Sequence, residues 1–415
     1  MKTAALCLVL LPSLIVPLAA QDSPLVVRTA DTGVASGLQS QFGAFQPLPP
    51  LEAGQHYVLT LGGNGIAVTS GSGDVGLMQI DARPGALMEM FSDQIDQYLG
   101  MGRAIAMMTL SQQGIKPGPA MEVIQGVLDF PNQIQSLGVR ITGDPDAPEQ
   151  GFAAELSLEP VARTWFAGLV SALAPVSAGA PDLDIGGAMR GSLALGMTST
   201  APLAPFVSFL SAFGSGSDAD KENRMQILQK SLDLMTGAVG MGWDLGGGGM
   251  QLITALEDAD AMRALMADSA YAEWATSSMG GASGMEVDYE PDAFEHRGVK
   301  VAKMSVEMGG MAAGMASPIA PDGKFQSYYA VAGDYSLTST YATSDASIKA
   351  LIDSVLDQKV KRTPLPGNML ASFTMRVADF AAMFAGGMPL GDAPETLALQ
   401  LDKSDGRLVL RVDVK

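Results

Sequence analysis

Four times along this chain, two short stretches with an apolar residue at every second position lead into a stretch where apolar residues recur every third or fourth. The first kind of spacing predicts strands and the second a helix, since side chains alternate along a strand and return to one helix face after about 3.6 residues. In the first instance His56–Leu61 and Gly76–Asp81 flank glycine-rich turns, and Pro84 opens a helix with Leu87, Met88, Phe91 and Ile95 on one face. In the second, Gly138–Gly143 and Phe152–Glu159 precede a helix from Pro160 that carries Trp165, Phe166, Leu169 and Val170. Phe152, Ala154, Leu156 and Leu158 alternate there with polar or small residues, the pattern of a half-buried strand. In the third, Val239–Leu245 and Met250–Leu256 precede a helix with Met262, Leu265, Met266 and Trp274. In the fourth, Tyr328–Ala332 and Tyr335–Tyr341 lead through Ser344 into Ile348, Leu351, Ile352, Val355 and Leu356.

A shorter strand-helix unit occurs twice. Leu203-Ala-Pro-Phe-Val-Ser-Phe-Leu210 aligns with Val377-Ala-Asp-Phe-Ala-Ala-Met-Phe384, placing Phe206 on Phe380 and Phe209 near Phe384. The strands ahead of them, Met189–Met197 and Met369–Val377, align as well, as do the helix starts at Pro160 and Ser344. Residues 55–217 and 218–415 are therefore expected to be two related halves. Each would be a mostly antiparallel sheet with helices on one face, an α+β fold. A helix over Lys221–Thr236, with Met225, Leu228, Leu232 and Met235, would open the second half. Glu286–Met308 reads as two strands around Pro291-Asp292, and residues 21–54 as an extended lead-in.

The first twenty residues have a different character. Lys2, an uncharged apolar run from Ala4 to Leu18, and small residues at Ala19-Ala20 follow the layout of a secretory signal peptide cleaved before Gln21. The run is too short to span a bilayer comfortably, and the only cysteine, Cys7, lies within it. The mature chain is thus expected to be exported, to the periplasm or the medium, without disulfides or thiolate metal sites. The composition of the full sequence, 47% hydrophobic and 17% charged, supports large cores, and its net charge of −19 disfavours nucleic acid and anionic lipid as partners. The uncharged stretches Thr164–Ala180 and Gly191–Ser217 are broken by proline and polar residues, so no transmembrane segment is expected after cleavage.

The usual catalytic patterns are missing. There are two histidines, His56 and His296, both expected as partly exposed strand residues, and neither a Gly-x-Ser-x-Gly nor a His-Glu-x-x-His motif. Gly71-Ser-Gly-Asp-Val-Gly76 matches the dinucleotide pattern, but a strand follows it where the motif requires a helix N-terminus. Asp218-Ala-Asp-Lys-Glu222 begins like a calcium loop yet has Asn223 and Gln229 where glycine and glutamate are needed, so it reads as a helix cap. Glu286, Asp288 and Glu290 alternate on a solvated strand face. No cofactor is expected.

The 26 methionines remain. Thioethers fill cores, and they also line adaptable binding surfaces. Met88, Met225, Met235, Met262 and Met266 recur on predicted helix faces and are the candidate lining of an apolar site. Met304, Met308, Met311 and Met315 form the one series that could hold Cu(I) through sulfur. The resulting expectation is an exported, soluble, non-enzymatic binding or interaction protein, its partner an apolar small molecule or another envelope protein. The alternatives are an exported hydrolase using carboxylates and a structural component of the cell envelope.

Overall fold

The computed structural model describes residues 23–41, 47–62, 65–90, 129–143, 151–182, 189–204, 218–244, 249–280, 285–308, 323–342, 344–376 and 396–414, with isolated positions between 92 and 108 and Val207. The fold is α+β and mostly sheet, with seven α-helices among the described residues. Every strand ladder described below is antiparallel. The chain forms two compact units, one drawn from residues 1–104, 126–170 and 404–415, the other from 105–125 and 171–403.

The first unit contains β1 (Leu25–Thr29), α1 (Thr32–Gln41), β2 (Gln55–Gly62), β3 (Gly65–Ser72), β4 (Met78–Ala82), α2 (Pro84–Met90), β5 (Ile134–Gly143), β6 (Phe152–Pro160) and most of α3 (Trp165–Ala172). The last strand of the chain, β19 (Arg407–Val414), completes its sheet in the order β3-β2-β1-β4-β5-β6-β19. Direct cross-strand pairing puts Val27, Ile80, Val139, Leu156 and Leu410 in one row. Leu25, Val27, Leu59, Met78 and Ile80 are buried, packed by Ala35 of α1 and Leu87 of α2. Phe166 and Val170 of α3 close on Ile134, Leu158 and Leu408.

The second unit contains β7 (Leu173–Pro175), β8 (Ala180–Asp182), β9 (Met189–Met197), α4 (Asp218–Asp233), β10 (Met235–Asp244), β11 (Gly249–Leu256), α5 (Ala259–Met266), α6 (Ser269–Gly280), β12 (Met285–His296), β13 (Val299–Met308), β14 (Lys324–Ala332), β15 (Tyr335–Ala342), α7 (Ala346–Leu356), β16 (Lys361–Thr363), β17 (Met369–Arg376) and β18 (Thr396–Ser404). Its sheet runs β18-β17-β9-β10-β11-β15-β14-β13-β12, with β7 paired to the other end of β9. On one face α7 lays Ile348, Leu351 and Ile352 on Ile253, Leu337, Ala330 and Val301, all but fully buried. The small β8–β16 pair covers the same face at β10, where a Cβ on Gly240 would sit 2.2 Å from the Pro181 carbonyl oxygen. On the opposite face α5 and α6 pack Met262, Leu265 and Ala275 against Val331, Met304 and Tyr289.

Several sequence expectations change. β1 and α1 occupy the stretch expected as a lead-in, because the apolar run Leu25-Val26-Val27 inserts between β2 and β4 and buries Leu25 and Val27. The helix expected from Pro160 starts at Trp165, since Arg163 adopts φ 65° and Thr164 Oγ1 accepts from the Ala167 amide at 3.2 Å. Phe152 and Trp165 are exposed. The helix expected to reach Thr236 ends at Asp233, and Met235 begins β10. Pro291-Asp292 is a bulge inside β12, and the chain reverses instead at Arg297-Gly298, both with positive φ. In Gly71–Gly76, the first two residues end β3 and Gly73–Gly76 leads on to β4, with Gly76 at φ 63° and its amide donating to Asp74 Oδ1 at 2.8 Å. Phe206, Phe209, Phe380 and Phe384 lie outside the described residues.

Candidate functional site: a methionine and aromatic face

The two units treat the second faces of their sheets differently. In the first unit the face away from α1 carries Gln79, Arg140, Glu155 and Arg411 side by side, and Arg411 Nε donates to Glu155 at 3.0 Å. Arg407 pairs with Glu159 at 2.8 Å, and Arg28 pairs with Asp81. That is the ordinary solution for an antiparallel sheet with one wet face. In the second unit the residues of β11 that face α7 are Gln251, Ile253 and Ala255, all buried. The alternate set is Met250, Leu252 and Thr254, only half-buried, with Met241 and Trp243 beside them on β10. An apolar surface thus stands partly open where the other sheet has charges.

Pairing extends this surface into two rows. One runs Met241, Leu252, Thr338, Tyr329, Ala302, and continues past Gly191 to Phe373 and Leu399. A Cβ on Gly191 would lie 2.3 Å from the Phe373 ring and 2.9 Å from Met241 Cγ, so both side chains lean over this glycine. The other runs Trp243, Met250, Thr340, Ser327, Met304, Tyr289. Along it burial increases from half-buried Trp243 and Met250 to fully covered Ser327 and Met304. Trp243 stacks on Tyr341 with ring centroids 6.2 Å apart, and Tyr341 meets Phe325 at 4.8 Å, giving the row an aromatic border.

The covered end is lined by hydroxyls. Ser327 and Thr340 share a hydrogen bond of 2.6 Å. Tyr271 of α6 lies 6.1 Å from the Tyr289 ring and 5.1 Å from Trp274. The Tyr289 hydroxyl oxygen is buried without a hydrogen-bond partner. Burial pushes the Tyr289 phenol up to about 12, with neighbouring Tyr329 and Asp292 adding to it. Burial likewise raises Tyr271 and Tyr329. These groups stay neutral over the physiological range and act as hydrogen-bonding dipoles.

Of the five methionines expected to line an apolar site, three come together. Met262 is buried beside Leu256, Leu265 and Val331, and Met235 and Met266 pack on the same cluster. Met225 is 39% exposed on α4, and Met88 is half-buried on α2 in the first unit. Of the copper candidates, Met304 lies in the apolar cluster with Tyr289 and Val306, and Met308 is four residues further along β13, paired with Met285. Met311 and Met315 lie outside the described residues. Among the described residues no three His, Cys, Asp or Glu side chains converge as a metal site. His56 is buried, its Nδ1 3.2 Å from the Gly73 carbonyl oxygen. His296 Nε2 meets Asp353 Oδ1 at 2.9 Å, and Arg297 bridges Asp353 and Asp357, which ties the β12–β13 turn to α7. Glu286, Asp288 and Glu290 are exposed along β12. The residues that sequence reasoning missed are Trp243, Met250, Leu252 and the three tyrosines. Their signal was available in β11, where both alternating sets are largely apolar and so neither face can be the wet one.

No protein-family model, curated protein or solved structure matches this chain. No described helix is long and apolar enough to cross a membrane.

Proposed function

We propose that this chain is an exported, non-enzymatic binding protein that holds an apolar small molecule on the Met241, Trp243, Met250 and Leu252 face of its second unit. The observation that carries the reading is the half-burial of these four side chains, while Gln251, Ile253 and Ala255 on the opposite side of β11 are buried. Leaving large apolar surface in water forfeits about 25 cal/mol per Å2, so such a surface in one place points to a guest. Thioethers repack around guests of different shape, which suits a carrier. The sequence of the first twenty residues supports export. Titration with N-phenyl-1-naphthylamine should give saturable fluorescence enhancement that Leu252→Arg abolishes while the fold, followed by circular dichroism, is kept. Enhancement that does not saturate, or that Leu252→Arg leaves intact, would refute the reading. Intact-mass analysis of exported protein should place the mature start at Gln21.

We further infer that the chain consists of two related repeats that exchange a strand. The order β19-β6-β5-β4-β1 in the first unit matches β11-β15-β14-β13-β12 in the second. In both sheets the second strand of the series feeds a helix, α3 or α7, that packs back on it. Then come β9, β10 and β11 in one repeat and β17, β18 and β19 in the other. Ser192 and Ser372, 180 positions apart, stand directly opposite in the β9–β17 ladder, as equivalent residues on a local two-fold axis must. This pairing of repeats matches β4 with β13 and β11 with β19, and it moves the boundary from residue 217 to the α5–α6 region. The strand completing each five-strand series then belongs to the other repeat.

A further inference from the structure

We infer that the covered end of the apolar face, where Tyr271, Tyr289 and Tyr329 converge, receives an uncharged hydrogen-bonding head group, so that the guest is a long-chain alcohol or ester and not a fatty acid anion. The inference rests on the reading of the face as a ligand site and specifies the guest's chemistry.

Three observations lead to it. First, the Trp243-to-Tyr289 row is directional: its open end, Trp243 and Met250, carries no hydroxyl, and towards its covered end the hydroxyls of Thr340, Ser327 and Tyr289 flank Met304. A chain lying along it would bring one terminus to Ser327, Tyr329 and Tyr289. Second, the Tyr289 side chain is 9% exposed and its oxygen has no partner, although a buried hydroxyl left unpaired costs about 1–3 kcal/mol. Ser327 and Thr340, by contrast, satisfy each other. Tyr289 is therefore the donor left over for something else. Third, the charge felt at Tyr289 is the carboxylate of Asp292, and Asp292 already holds Lys300 in an ion pair of 2.8 Å. A carboxylate head would lose its hydration and meet Asp292, whose own cation partner is already engaged. An alcohol or ester oxygen accepts from the phenol and brings no charge.

The test displaces N-phenyl-1-naphthylamine from the full-length protein with 1-dodecanol, methyl laurate or sodium laurate at pH 8, for wild type and Tyr289→Phe. In the wild type, the alcohol and the ester should each compete at least about tenfold better than laurate. Tyr289→Phe should weaken the alcohol and the ester by about five- to tenfold, the value of one hydrogen bond, after correction for the variant's own dye affinity. The unfolding midpoint of the variant should stay level or rise, because an unpaired hydroxyl has been removed. If laurate matches the alcohol, or if Tyr289→Phe leaves all three competitors unchanged, the head-group assignment fails while dye binding still supports the apolar face. If the dye does not bind the wild type, the reading of the face fails and takes this inference with it.

Discussion

Neighbouring positions on β11 offer a controlled comparison of a filled face with an open one. Ile253 is fully buried against α7, and Leu252 points the other way and is half-buried. Ile253→Ala removes three buried carbons, about 2.4 kcal/mol of transfer free energy, and leaves a cavity that cannot collapse between α7 and the sheet. The total should be about 3–4 kcal/mol. Leu252→Ala removes the same number of carbons from a site that is already partly wet and opens no closed cavity. Half the transfer value, about 1 kcal/mol, is the expected cost. Urea unfolding read by tryptophan fluorescence measures both. Trp243 reports on the second unit, which is useful because a chain with two compact units need not unfold in one step. Binding of the dye should respond in the opposite order, weakened by Leu252→Ala and little changed by Ile253→Ala in the folded protein. A cost for Leu252→Ala equal to that of Ile253→Ala would show that this face is packed solid, and the binding argument would collapse.

Asp353 provides a pH prediction. Its carboxyl is held below the ordinary 3.8, first by the Arg297 guanidinium and then by His296. A depressed carboxyl stabilises the fold above its unfolded value, and the contribution is lost as pH falls through the folded one. Wild type and Asp353→Asn should therefore differ in unfolding midpoint at neutral pH and converge as pH drops below about 3.8 towards the lowered value, measured by thermal melts across that range. Gly240→Ala should cost about 1–3 kcal/mol in urea unfolding, because its Cβ meets the Pro181 backbone and must push β8 off β10. Ser192→Cys combined with Ser372→Cys should form an intramolecular disulfide on mild oxidation, detected by mass, since opposed residues of an antiparallel ladder lie within bridging distance. Failure to form it would remove the two-fold pairing on which the repeat assignment depends.

Much of the fold was legible because its strands and helices obey strong periodicities. Ile348, Leu351, Ile352 and Val355 follow the helical spacing and are all buried on one face of α7. Leu25-Val26-Val27 carried no alternation, and a five-residue strand is a weak pattern whose burial depends on partners more than thirty residues away. The helix break at Ala267-Asp268 was hidden because Met262, Leu265, Met266 and Trp274 keep one apolar stripe through it. The candidate site was partly legible. Methionine count pointed to soft packing, and Met235, Met262 and Met266 do meet. The decisive residues came from strands, where only the pairing register shows that Trp243, Met250 and Tyr289 share a row. Register depends on bulges such as those at Glu290/Phe294 and Gln326/Ser327, which composition does not announce.

Photo-crosslinking tests the proposed site most directly. A long-chain alcohol carrying a diazirine at mid-chain is bound to the full-length protein, irradiated, and the labelled peptides are mapped by mass spectrometry. The expected labels fall on β10, β11 and β15, at Met241, Trp243, Met250 or Leu252 and their neighbours, and excess unlabelled 1-dodecanol suppresses them. Labels confined to the first unit, or scattered and insensitive to competition, would contradict a binding site on this face.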